Sequence, residues 1–194
     1  MTRPARPRNA EATRAAILAA ARHCFTRDSY DQVGIRDIAV KAGVDAALVC
    51  RYFGSKEDLF AQLLLRPDKP LEVIGAGREG LSVRVAEMVV SKAGDQEAVD
   101  DLLIMLRSAS SKTAASLVRD AMVKRFDEPI TQLLEGTEPK LRARMMGSVI
   151  IGLIVSKIIR GPWDVDEPGQ KAFQQRVEDL VRLSIEEFPA PDGA

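Results

Sequence analysis

The 194-residue sequence has one histidine, two cysteines and only 5% aromatic residues. Each scarcity removes a class of function. With His23 as the only imidazole, a His-based metal cluster is excluded, and a histidine-containing triad has a single candidate base. His23 neighbours Cys24, but adjacent helix positions point about 100° apart, so the two do not face each other as base and nucleophile. No phosphate-cradling glycine loop is present, because Gly75-Ala76-Gly77 lacks the required spacing and a preceding strand. The chain is therefore read as a non-enzyme that needs no cofactor. Cys24 and Cys50 build no disulfide framework and fit a reducing compartment. The longest apolar stretch, Met145 to Ile159, falls short of the ~20 residues of a membrane span and contains Lys157. Arg3, Arg6 and Arg8 precede an Ala-rich run as in an export signal, but Glu11 and Arg14 interrupt the approach and the run continues a helical pattern. The expectation is a cytoplasmic protein with no membrane partner.

Apolar residues make up 46% of the chain and charged residues 29%, a globular balance, and strong β signals are few. The fold class read from this is all-α, with about nine helices. The formal net charge is zero, but its distribution is uneven: up to Arg66 there are 11 Lys/Arg against 7 Asp/Glu, and beyond it 17 against 21. A basic first third followed by an acidic remainder points to an anion-binding module joined to a module with another task. Residues 1–8 read as a disordered basic tail, 9–66 as the first domain and 67–194 as the second, with Pro67 and Pro70 marking the break. The expected helices run from Asn9, as cap, to about Arg27, then Gly34 to Lys41, Asp45 to Tyr52 and Ser55 to Arg66. Further on they cover Arg78 to Ala93, Gln96 to Ala109, Lys112 to Leu134, Pro139 to Arg160 and Gly169 to Phe188. Pro129 should kink or end the third of these later helices.

The segment Ile35 to Phe60 carries the functional signal. Two short helices that cross closely need a small residue at the crossing, a turn residue tolerant of positive φ, and apolar residues on the inner face of the second helix. Ala39, Gly43, and Val44, Val49 and Phe53 meet those three needs, and Asp45 stands where an N-cap belongs. An ordinary αα-hairpin would use the same spacing. The outer face of the second helix separates the two readings. With Val49 and Phe53 inward, Leu48 and Tyr52 face out, flanked by Ala46, Ala47 and Cys50. Leu and Ala suit thymine methyls in a major groove, and a Tyr hydroxyl suits a phosphate or base edge. Packing against another helix is the alternative. Ser55-Lys56-Glu57-Asp58 has the form of a capping box with Asp in the usual Glu place. That helix start, with Lys56 beside it, is a candidate phosphate site, although Glu57 and Asp58 oppose an anion there.

From about Arg14 to Leu65 the chain resembles the DNA-binding region of the tetracycline-repressor (TetR) family of bacterial regulators. The resemblance is carried by Ile35-Arg36-Asp37-Ile38-Ala39, by Ala42-Gly43-Val44, and by Tyr52-Phe53-Gly54-Ser55-Lys56-Glu57-Asp58-Leu59-Phe60. It implies three helices for DNA, a linker helix, and five helices for ligand binding and dimerisation. It also implies Lys56 as a phosphate contact, Tyr52 as a DNA contact, and Ala46, Ala47, Leu48 and Cys50 as groove-facing positions. Three departures stand out. Val33 and Gly34 replace the Thr or Ser that often opens the second helix, Cys50 replaces a common Tyr, and Leu48 a common Thr. Arg3, Arg6 and Arg8 read either as an arm along phosphates or a minor groove, or as a solvated tail.

In the second domain, Val149 to Ile159 is apolar nearly all round, and Ser148, Gly152 and Ser156 form a ridge of small residues. The last helix has a stripe at Phe173, Val177, Leu180, Val181, Ser184 and Phe188. Two such helices per subunit suit a four-helix homodimer interface, which the resemblance also implies, or else a monomeric core. Met105, Leu106, Met122, Phe126, Met145 and Trp163 are candidates to line an apolar effector pocket, or plain core residues. The reading is a dimeric, ligand-responsive repressor of a palindromic operator on double-stranded DNA. Its alternative is a helical small-molecule-binding protein without sequence-specific DNA binding, a reading favoured by the missing hydroxyls at Val33 and Gly34.

Overall fold

The computed structural model describes residues 7–66, 72–91 and 96–188, and all regular structure among them is helical. In order these are α1 (Pro7–Arg27), α2 (Ile35–Ala42), α3 (Ala46–Phe53), α4 (Lys56–Leu65), the single turn α5 (Glu72–Gly75), α6 (Leu81–Val90), α7 (Gln96–Ser108), α8 (Ala114–Met122), α9 (Glu128–Leu133), α10 (Pro139–Arg160) and α11 (Glu167–Ile185). A π-helical stretch, Val123–Asp127, joins α8 to α9 in one unbroken helical run. Arg3, Arg6 and the Pro67–Pro70 break lie outside the described residues.

Several boundaries differ from expectation. The first helix is described from Pro7, so Pro7 and Arg8 are helical and Asn9 lies within the helix rather than capping it. The helix expected from Arg78 begins at Leu81, because Gly80 (φ 66°) adopts a left-handed conformation and interrupts the preceding chain. Pro129 does disturb its helix, but by widening it. A proline has no N–H for the carbonyl four residues back and its ring crowds that carbonyl. The turn ahead of it opens into π geometry, where the Glu128 N–H bonds the Val123 carbonyl.

Two compact units result. The first comprises α1 to α4 together with Asp100–Ala121. Its core contains Ile17, Ala21, Phe25, Tyr30, Ile38, Val49, Phe53, Leu59, Phe60 and Leu64, with Leu102, Ile104 and Met105 also buried. A buried carboxylate, Asp101, is matched there by two guanidiniums. Arg22 donates to its Oδ1, and Arg66 lies 3.5 Å from its Oδ2. Ser111 Oγ donates to Asp31 at 2.8 Å and accepts from the Ala114 N–H, capping α8.

The second unit is built on α6, α10 and α11, around Leu81, Val85, Val89, Ile130, Met146, Val177 and Val181. Arg142 is fully buried, donating to the carbonyls of Ile185 (2.8 Å) and Glu135, so it ties down the ends of α11 and α9. Lys157 plays a related part for α6. Its ammonium donates to the Ser91 carbonyl at 2.6 Å, at the negative end of that helix. No helix among the described residues is long and apolar enough to cross a membrane.

Candidate nucleic-acid interface

α2 and α3 cross as a helix-turn-helix, and the backbone between them is fixed by Gly43. Its φ of 67° and ψ of 32° are left-handed, its N–H bonds the Val40 carbonyl at 3.2 Å, and the Val44 N–H bonds Ala39 at 3.0 Å. This paired closure is a Schellman motif. A Cβ on Gly43 would meet nothing within 4 Å, so backbone conformation alone calls for glycine. At the far end of α3, Gly54 (φ 84°) has a second reason as well: a Cβ there would lie 2.9 Å from Asp58 Oδ2.

Both DNA-side helices are capped from aspartate. Asp45 accepts from the Ala47 N–H at 2.7 Å and starts α3. Gly34 offers α2 no side-chain cap, and Asp37 reaches back instead to the Gly34 N–H at 2.8 Å. The α4 start is the capping box anticipated from its sequence. Asp58 donates its N–H to Ser55 Oγ at 3.0 Å, and the Ser55 N–H donates to Asp58 Oδ2 at 3.1 Å. The Ser55 hydroxyl also donates to Asp58 Oδ2 at 2.7 Å, and that bond, followed by the one from the Ser55 N–H, holds the Asp58 carboxyl below the usual range. Glu57 is likewise lowered, first by the Tyr30 hydroxyl and then by its own backbone.

The outward face of α3 follows from this scaffold. Val49 and Phe53 are buried, Ala47 and Cys50 are exposed, and Ala46, Leu48 and Tyr52 are half-buried. Arg51, also exposed, stands one turn after Ala47 on that side and was not among the residues singled out from sequence. Its position and charge were the available signal. Lys56 is half-buried, its ammonium 4.0 Å from the centroid of the Tyr30 ring. Tyr30 is the other residue that sequence reading missed, since nothing local in the Asp28 to Gln32 turn announces a partner 26 positions on. Arg14 makes a comparable contact, its guanidinium 5.1 Å from the Phe53 centroid.

The proposed effector residues divide between the units. Met105 is buried in the first. Met122, Phe126, Met145 and Trp163 belong to the second, where Met145 is 39% exposed and Trp163 packs on Phe173 at 4.6 Å between centroids. Among the described residues, no group of three or more His, Cys, Asp or Glu is placed to hold a metal ion.

Residues 17–63 match the family model of bacterial regulatory proteins, tetR family, and residues 79–182, more than half the chain, match the tetracyclin repressor-like C-terminal domain. The chain belongs to the TetR family. It is a transcriptional regulator with an N-terminal helix-turn-helix DNA-binding domain. Solved TetR-like structures share its fold. NalD, the secondary repressor of the MexAB-OprM multidrug efflux pump in Pseudomonas aeruginosa, is 23% identical with a TM-score of 0.66, covering 90% of this chain and 97% of that one. SmeT, in complex with triclosan, is 18% identical with a TM-score of 0.58, covering 93% and 100%. A TetR-family regulator from Streptomyces coelicolor is 27% identical with a TM-score of 0.51, covering 89% and 96%. No curated protein matches the chain.

Proposed function

We propose that this TetR-family regulator is a homodimeric repressor that acts in the cytoplasm, grips a near-palindromic operator through two copies of α3, and is released by an apolar small molecule. The observation that carries the reading is the α3 face. A helix held between the Asp45 cap and Gly54 turns Val49 and Phe53 inward and leaves Ala47, Cys50 and Arg51 exposed, with Leu48 and Tyr52 beside them. Small and apolar groups there suit contact with thymine methyls, and the flanking Arg51, Tyr52 and Lys56 suit phosphates.

Dimerisation is supported by apolar residues that the single chain leaves open on α10 and α11. Ile159 is 75% and Leu183 67% exposed, with Leu180 and Ile158 partly so, and Phe188, just past the end of α11, is partly open too. Two headpieces joined this way would reach successive major grooves, about 34–36 Å apart. An effector is supported by the partly buried Met and aromatic residues of the second unit, Met122, Phe126 and Trp163, whose soft and flat side chains accommodate varied ligands. That SmeT, alike in fold, forms a complex with triclosan, and that NalD is a repressor, adds to this support.

Selection from random duplexes by the purified full-length protein tests the reading. The expected outcome is enrichment of a two-fold-related site with half-sites about one helical turn apart. Absence of any enriched palindrome at both low and moderate salt would sink it in favour of a small-molecule-binding protein. The specific observation on that second side is α2, which opens on Gly34 with a carboxylate, Asp37, at its N-terminus and no hydroxyl to offer a phosphate.

A further inference from the structure

We infer that Tyr30 is a positioning residue for DNA binding: its ring is the fixed platform that holds the Lys56 ammonium ready for a backbone phosphate. The inference rests on the reading of Lys56 as a phosphate contact and goes on to a residue outside the helix-turn-helix.

The geometry has three parts. Tyr30 is only 2% exposed, and its ring stands edge-on to Phe60 at 5.0 Å and parallel to Phe25 at 6.0 Å, so packing on two sides immobilises it. Lys56 Nζ lies 4.0 Å from the centroid of that ring, within the range of cation–π attraction. The Tyr30 hydroxyl donates to Glu57 Oε1 at 2.6 Å. One buried side chain thus holds both members of the Lys56-Glu57 pair, the cation by its face and the carboxylate by its oxygen.

The α4 terminus explains why such a platform matters. A helix N-terminus ordinarily attracts a phosphate through its open N–H groups. Here Ser55 and Asp58 satisfy each other, and Glu57 and Asp58 place two carboxylates in the first turn. Attraction at this end therefore falls to the Lys56 ammonium. A lysine is a flexible point charge that loses rotamer freedom when it docks, and a ring that orders it beforehand reduces that loss. At a partly exposed site this attraction raises the population of the ordered lysine about two- to fivefold, and the rotamer freedom so spared gives a gain of the same order in affinity for each headpiece engaged. That is too little to withhold the ammonium from a phosphate.

A double-mutant cycle on the full-length protein, with its selected duplex and a salt titration, tests this. Lys56→Ala should weaken binding and reduce the salt slope by about one for each headpiece. An unchanged slope would overturn the phosphate reading itself. Tyr30→Leu should weaken binding about two- to fivefold for each headpiece while leaving the slope intact, and should cost nothing further in the Lys56→Ala background. An equal loss in both backgrounds would show that Tyr30 acts only through the fold, and would overturn the inference with the Lys56 reading intact. Tyr30→Leu empties a buried site, so a second measurement avoids it. In the free protein the Lys56 ε-methylene NMR signal should be shifted upfield by the ring, and should stay shifted in Tyr30→Phe, which keeps the platform. A random-coil position in the folded wild-type protein would equally overturn the inference.

Discussion

Tyr30 also sets an alkaline limit on the fold. Burial raises its hydroxyl well above the ordinary tyrosine value of about 10, and the hydrogen bond to Glu57 with that carboxylate's charge raises it further. A group whose pKa rises on folding contributes stability that is complete below its unfolded value and is lost as pH climbs through the folded one. Unfolding free energy should therefore decline from about pH 10 upward. The phenolate absorbance of one of the two tyrosines should appear late in the folded protein and near its ordinary pH in urea. Tyr30→Phe should remove the late step, and a late step that persisted would exclude Tyr30 as its source. No sequence pattern announces such a residue. Val49 and Phe53 could be assigned inward because spacing on a helix fixes their face. Tyr30 sits in a turn, and its partners Lys56 and Glu57 are brought to it only by the packing of Phe25 against Phe60, 4.9 Å between centroids.

The helices were legible where periodicity and caps agreed, and less so where a partner far along the chain decides the matter. Asp45, Ser55 and Asp58 are local devices, so α3 and α4 begin where their sequence says. The π-helical stretch ahead of Pro129 was visible only as a disturbance, because proline dictates that a bond is lost and the surroundings dictate how the helix adjusts. Least legible were the long-range contacts that gather Asp100–Ala121 into one compact unit with α1 to α4, since no local pattern marks them. The ionic centre of that unit is a buried carboxylate on α7 between a guanidinium from α1 and one just after α4. Asp101→Ala would leave Arg22 and Arg66, whose side chains are 17% and 11% exposed, without this charge. The loss should be about 3 kcal/mol, read as a lower urea midpoint at constant slope. Replacing all three together by Asp101→Leu, Arg22→Met and Arg66→Met should recover most of it, since an apolar cluster of similar volume has no desolvated charge to compensate. A triple variant as unstable as Asp101→Ala would mean that the arginines hold the helices by contacts other than this carboxylate.

In the proposed dimer, two weak headpieces would become one tight binder because they are joined at a fixed spacing. The open apolar positions on α10 and α11 are where that junction is proposed, and their exposure makes the test clean. Ile159 and Leu183 contribute little to the core of their own chain, so Ile159→Glu and Leu183→Glu should leave its melting transition nearly unchanged. At an interface the same substitutions desolvate a carboxylate with no partner, on both sides of the two-fold axis at once. Sedimentation at micromolar concentration should then show a dimer for the wild-type protein and a monomer for either variant. Affinity for a palindrome should fall in the variants far more than affinity for a single half-site. A variant that remained dimeric and bound the palindrome as tightly as the wild type would place the interface elsewhere. A wild-type protein that sedimented as a monomer would remove the spacing on which recognition of a palindrome depends.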